Sequence, residues 1–135
     1  MDYLQTAILI ATEAHQGQFR RDGKTPYITH PQKVANLVES KDAKAVSWLH
    51  DVLEENTDFT VKDLFDRGMP EHIVDAVVIL TKSSLYTYEE YLERVKENEL
   101  ARTVKIADMM ANLSDTPTKK QVEKYTKGLA FLQSN

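Results

Sequence analysis

The stretch His50-Asp51-Val52-Leu53-Glu54-Glu55 closes a longer helical pattern that begins at Asp42. On a helix each residue advances about 100° around the axis. His50, Asp51, Glu54 and Glu55 then share one polar arc, and Ala45, Val46, Trp48, Leu49, Val52 and Leu53 fill the opposite, apolar arc. His50 lies one turn before Glu54 and Asp51 one turn before Glu55, so each pair meets on the helix surface. The apolar arc demands burial. The polar arc then either faces water or lines a cavity. An acidic arc alone is most often a solvated face, and an adjacent His-Asp pair is a short motif. The residues on either side decide between the two.

Working outward, the flanking segments also read as helices. Upstream, a break at Ser40-Lys41 separates the central pattern from a helix that runs to about Glu39. Thr29 or His30 precedes that helix and Pro31 takes its first position, a place where a missing N–H costs nothing. Residues 18–31 form a loop by their Gly and Pro content. Before it, Leu4, Ala7, Ile8, Ala11 and Ala14 recur at helical spacing over 2–16, with Gly17 as the stop. Downstream, Asn56-Thr57-Asp58 turns the chain, and Thr60 has the position of an N-cap for a short helix over 61–67. Further helices are predicted over 71–81, 88–97, 99–114 and 118–132. No alternating run points to a sheet, and Val77-Val78-Ile79-Leu80 fits a buried helix better than a strand. The expectation is all-α: a single compact domain over 1–135, a bundle of seven or eight helices.

Bulk properties bound the class. A chain of 135 residues suits one domain with a real core. Hydrophobic content of 41% and charged content of 28% mark a soluble globular protein. No stretch is long enough to cross a bilayer, and the N-terminus lacks the basic start and cleavage site of a signal peptide. Cysteine is absent, which excludes disulfides and thiolate metal sites and is compatible with a cytoplasmic location. A net charge of −4 disfavours a nucleic-acid partner. It leaves room for a local basic patch holding one anionic small molecule. The oligomeric state is left open.

A second stripe resembles the first. Lys105, Asp108 and Asn112 fall at i, i+3 and i+7 on the 99–114 helix, amid Ile106, Ala107, Met109, Met110 and Leu113. One acid, one base and one amide among apolar neighbours suggest the wall of a pocket. The alternative is an exposed strip with a local Lys105–Asp108 pair. Taken with the central stretch, His30, His50, Asp51 and Asp108 make two imidazoles and two carboxylates. Borderline and hard divalent ions accept such mixed ligands and leave room for water or substrate.

Three stretches carry a family resemblance: AHQGQFRRDGKTPYITHP (14–31), HDVLEEN (50–56) and VKIADMMANLSD (104–115). Together with Tyr88-Glu89-Glu90-Tyr91, they are similar to the HD-domain phosphohydrolases. They resemble in particular the alarmone hydrolases, which comprise the hydrolase half of the Rel/SpoT proteins and small stand-alone enzymes. The resemblance implies that His30, His50, Asp51 and Asp108 bind one divalent ion, Mn²⁺ or another divalent transition metal. It implies a catalytic role for Glu54 and Glu55. It assigns Arg20, Arg21, Lys24 and Tyr27 to the nucleotide and its phosphates, and it matches Lys105 and Asn112, as further substrate-binding residues, to the polar residues flanking the third motif. The implied reaction is removal of the 3′-pyrophosphate from ppGpp or pppGpp, leaving GDP or GTP, a reaction of the stringent response.

Two departures stand out. Glu54-Glu55 replaces the usual Glu-Asp, and Asp108-Met109-Met110-Ala111-Asn112 lacks the arginine and the aromatic common in the third motif. The chain ends where longer relatives continue into a synthetase domain, so hydrolysis alone is expected. Two other functions stay open: hydrolysis of another nucleotide, such as a nucleoside monophosphate or NADPH, and non-catalytic nucleotide binding. Outside the site, His15 reads as a loop brace and His72 as solvent-facing. Trp48, Met109 and Met110 read as core, and Tyr125 as a residue within reach of the site.

Overall fold

Polar residues set where most helices start. In the computed structural model, which describes residues 2–135, Asp2 caps α1 (Tyr3–Ala14) by accepting from the Leu4 amide. Ser40 does the same for α3 (Lys41–Leu49), Thr60 for α5 (Val61–Asp66) and Thr87 for α7 (Tyr88–Glu97). Asn98 caps α8 (Glu99–Leu113) and Thr118 caps α9 (Lys119–Gln133). Each takes up an amide that the first turn leaves without a partner. Pro70 stands directly before α6 (Glu71–Leu80).

α2 (Thr29–Asn36) starts earlier than expected. Thr29 and His30 amides bond back to Pro26 and Tyr27 carbonyls, so the 25–29 turn runs straight into the helix. Pro31 therefore occupies the third helical position. Its missing N–H is still one that the helix could not have used.

The main correction concerns the central pattern. A single helix over 42–55 was expected, but α3 stops at Leu49 and α4 (Val52–Glu55) begins after His50 and Asp51. His50 Nδ1 donates to the Ser47 carbonyl at 2.6 Å. That carbonyl is the one Asp51 N–H would bond in a continuous helix. Asp51 accordingly sits at φ −106, ψ −2, off the helical values. Nine helices result among the described residues. Taking α3 and α4 as one bent element gives eight, within the expected number.

α3 is the hub: α1, α2, α6 and α8 all pack on it. Ile10, Val34, Val46, Leu49, Ile73, Val77 and Val104 are fully buried between these helices. Burying one such side chain is worth about 1.5–3 kcal/mol. α9 lies across α8 at Gly128, where an added Cβ would stand 2.6 Å from Met109 Cε. Glycine there lets Met109 fill the α8–α9 seam. Met110, 100° further round, is 49% exposed rather than core, and Trp48 is half-buried. The only extended pairing among the described residues is an isolated bridge between Phe19 and Pro26. No helix is long and apolar enough to cross a membrane.

Candidate active site

The break between α3 and α4 aims two adjacent side chains at one point. His50, its Nδ1 spent on Ser47, turns Nε2 toward Asp51 Oδ2 at 3.2 Å and Asp108 Oδ1 at 3.4 Å. His30 enters from the first turn of α2, its Nε2 2.8 Å from Asp108 Oδ1 and 3.7 Å from Asp51 Oδ2. His30, His50 and Asp51 each offer one ligand atom, all within 4.8 Å of one another. Asp108 closes the group from α8. His30, His50 and Asp108 are 3–5% exposed.

Neighbouring residues fix the outer atoms of this group. Lys105 Nζ bonds Asp108 Oδ2 at 2.9 Å, and Tyr27 OH donates to Asp51 Oδ2 at 2.8 Å. Asn112 Nδ2 reaches Asp108 Oδ1 at 3.4 Å. The predicted stripe Lys105–Asp108–Asn112 thus lies along the wall of a cavity and not on the open surface.

The electrostatics follow from burial set against charge. Burial alone would drive the His50 imidazolium to lose its proton, but Asp51 and Asp108 reverse this and raise its pKa well above the ordinary value. Burial likewise pushes the Asp108 carboxyl up, and Lys105, His30 and His50 overturn it, holding it well below the carboxylate range. Asp51 behaves in the same way beside His50. Lys105 is raised because Asp108 outweighs its desolvation. Glu55 is pushed up by burial and by the charges of Asp51 and Glu54. Burial and Asp51 push the Tyr27 hydroxyl up.

Two carboxylates converging on two buried imidazoles mark a place that wants a cation. The residues fit a divalent ion by their own chemistry. The buried His50 Nε2 has no hydrogen-bond partner, while Nδ1 donates to a backbone carbonyl, the usual way of orienting a histidine ligand. Two nitrogens and two carboxylates make the mixed donor set.

A cavity of about 390 Å³ opens over this group. Glu54 and Glu55 line it, and Glu54 Oε1 accepts from the Lys82 amide at 2.5 Å. Arg20 reaches it from the loop, with Nη2 donating to Asn112 Oδ1 at 3.3 Å and its guanidinium 5.5 Å from the Tyr27 ring centroid. Arg21 stands at the rim, where a second cavity begins. Lys24 is exposed and outside both walls, a departure from its expected place. Asp22 takes the Lys24 and Thr25 amides into a tight turn, with Gly23 at φ +70. The turn leaves Lys24 at the tip.

His15 braces this loop as predicted. Its Nδ1 donates to Gln18 Oε1 at 2.9 Å, Gln18 Nε2 donates to the Glu55 carbonyl at 2.8 Å, and the ring packs on Tyr27. Tyr125 does reach the cavity from α9. Lys82, Tyr88 and Tyr91 complete the wall and were not anticipated. The signal for the two tyrosines was their i, i+3 spacing on an otherwise charged helix.

No protein-family model matches the chain. Curated relatives do. A Haemophilus influenzae protein named guanosine-3′,5′-bis(diphosphate) 3′-pyrophosphohydrolase is 37% identical over 114 residues, covering 79% of this chain and 16% of that protein. The Escherichia coli bifunctional (p)ppGpp synthase/hydrolase SpoT is 35% identical over 120 residues, 83% and 17% of the two chains. The chain thus spans about a sixth of the length of the curated relatives it matches. Among solved structures, one from a study of a metazoan SpoT orthologue that hydrolyses ppGpp superposes with a TM-score of 0.80 at 21% identity. It covers 99% of this chain and 87% of that one, so the two share a fold. Sequence and fold agree: the chain belongs to the HD-domain Rel/SpoT hydrolase-like proteins.

Proposed function

We propose that this chain is a metal-dependent phosphohydrolase that removes the 3′-pyrophosphate from ppGpp or pppGpp, giving GDP or GTP. One observation carries the reading. His30, His50, Asp51 and Asp108 converge on the floor of a cavity whose wall holds the Glu54-Glu55 pair and the cations Arg20, Arg21 and Lys105. The names of the relatives supply the substrate. His30, His50, Asp51 and Asp108 would hold the ion, for which we propose Mn²⁺. When bound, a divalent ion supplies a Lewis acid for phosphoryl oxygens and lowers the pKa of water.

The chain's own residues do the rest. Glu54 or Glu55 accepts the proton of the attacking water. The water oxygen bonds to the phosphorus attached to O3′. The P–O3′ bond breaks, and O3′ keeps the electron pair and takes up a proton. Arg20 and Arg21 pair with phosphate oxygens through their planar forks. Lys105 places a fixed positive charge beside Asp108, which offsets charge developing on the phosphoryl oxygens. Tyr27 and Asn112 hold Asp51, Asp108 and Arg20 in register with the substrate.

Purified protein with Mn²⁺ should convert ppGpp to GDP and pyrophosphate, resolved by chromatography beside a panel of nucleoside monophosphates and NADPH. Turnover of one of those nucleotides in place of ppGpp would move the assignment to it. Tight nucleotide binding without turnover of any would make the protein a binding module.

A further inference from the structure

We propose that Lys82 and Lys124, both set against the Tyr88 ring, form a second anion subsite of the cavity that holds the non-reacting 5′-diphosphate of the substrate. This rests on the bis(diphosphate) reading given above. Lys82 comes from the α6–α7 loop and Lys124 from α9, yet their ammonium groups stand 5.8 and 4.5 Å from the same ring centroid. Lys124 is also 6.0 Å from the centroid of Tyr125. Tyr88, Tyr125 and Lys82 line the cavity, and Lys124, outside its lining, borders it over the Tyr88 and Tyr125 rings. Among the described residues, neither ammonium makes an ion pair with a carboxylate. Partial desolvation and the positive charges of Lys82, Lys105 and Lys120 lower the pKa of Lys124.

The placement of these cations along α8 gives the subsite its meaning. The polar stripe of α8 runs from Lys105 through Asp108 to Asn112, about 10 Å along the axis at 1.5 Å per residue. Arg20 is bonded at the Asn112 end. Lys105, over the Tyr91 ring that stacks on Tyr88, marks the other end. Asp108 and the histidines lie between. Cationic groups therefore flank the reacting centre on two sides. A nucleotide with a single phosphate chain satisfies one end only. A ribose carrying diphosphates on both O3′ and O5′ reaches both, its reacting group running from the floor toward Arg20 and Arg21 and its other group lying over Tyr88. Lysine suits this second place. It is a mobile point charge that can follow the swinging end of a diphosphate.

The test uses Mn²⁺-loaded protein and the double variant K82Q/K124Q. Both lysines are exposed, so the fold tolerates the change. Calorimetry with GDP, which carries only the 5′-diphosphate, should show about tenfold weaker binding to the double variant, the scale of losing two solvent-exposed charge contacts. Guanosine 3′-monophosphate should bind parent and variant alike. In steady-state kinetics on ppGpp, KM should rise about tenfold with kcat within twofold. Equal GDP affinity in parent and variant, or an equal loss for guanosine 3′-monophosphate, overturns the subsite. If the GDP contrast holds but ppGpp is not hydrolysed by the parent, the subsite stands and the hydrolase reading fails.

Discussion

The two ends of α3 carry the same three side-chain types in different settings. At its start, Tyr3 OH donates to Asp42 and His72 Nε2 meets Asp42 Oδ2 at 2.9 Å. Just past its end, Tyr27 OH donates to Asp51, with His50 Nε2 3.2 Å away. The first group is solvated, and His72 is 58% exposed. The second is largely buried at the floor of a cavity, has a further carboxylate in Asp108 and a further imidazole in His30, and leaves His50 Nε2 unbonded. Tyr, Asp and His together thus do not make a site. What sets the second group apart is a second acid, burial and an unsatisfied nitrogen, because the charge imbalance becomes large only in a low-dielectric place.

The strongest way to break this comparison is at Asp108. Asp108→Ala removes the fourth proposed ligand and strands the buried Lys105 ammonium, so a stability loss of roughly 3–5 kcal/mol is expected, with loss of affinity for Mn²⁺ and of turnover if the proposed ligand set holds. Replacing Lys105 with Met in the same chain should recover part of the stability and none of the metal. Denaturant melts with metal analysis measure both. Retention of Mn²⁺ at parental affinity in Asp108→Ala would remove it from the ligand set.

Next in size is Glu54→Gln. If Glu54 is the general base, kcat should fall by about 10²–10⁴-fold while Mn²⁺ stays bound. Glu55→Gln, measured beside it, should cost less. Metal loss in Glu54→Gln would make it a ligand, and full activity in both variants would exclude the pair from proton transfer.

The loop comes third. Arg20→Ala/Arg21→Ala should raise KM with metal content constant. Adding Lys24→Ala should change nothing more, since Lys24 lies outside the cavity wall. An unchanged KM in the double variant would make the loop a solvated one.

The smallest effect belongs to the far end of α3. Asp42→Asn should cost under about 1 kcal/mol, as exposed pairs do, and leave turnover unchanged. The Tyr3 hydroxyl, with His72, holds the folded Asp42 carboxyl below its ordinary 3.8. A lowered folded pKa contributes stability above 3.8 and loses it as pH falls through the folded value. The gap between parent and variant should therefore be present at pH 7 and close in acid.

Helix positions were legible because their causes are local. α7 occupies 88–97 as predicted, since Thr87 and Glu90 form a reciprocal cap that the sequence displays. The stripe of α8 was legible for the same reason, as a spacing along one element. The break at His50 was not, because it depends on a ring competing with the main chain for the Ser47 carbonyl. Nor was the aromatic and lysine wall. Lys82, Tyr88 and Tyr125 meet through the packing of α7, α8 and α9, and no local pattern announces a meeting of three helices. Met110 shows the converse limit: apolar character did not fix which neighbour of Met109 would turn outward.

The bond between His30 and Asp108 joins residues 78 positions apart. A contact of that separation forms only after the intervening chain has closed into a loop, and such closures come late in folding. The cluster should then be absent from the folding transition state. Whatever strengthens it acts on the lifetime of the finished protein, slowing unfolding and leaving the rate of folding unchanged. The site is in this sense a latch set after assembly.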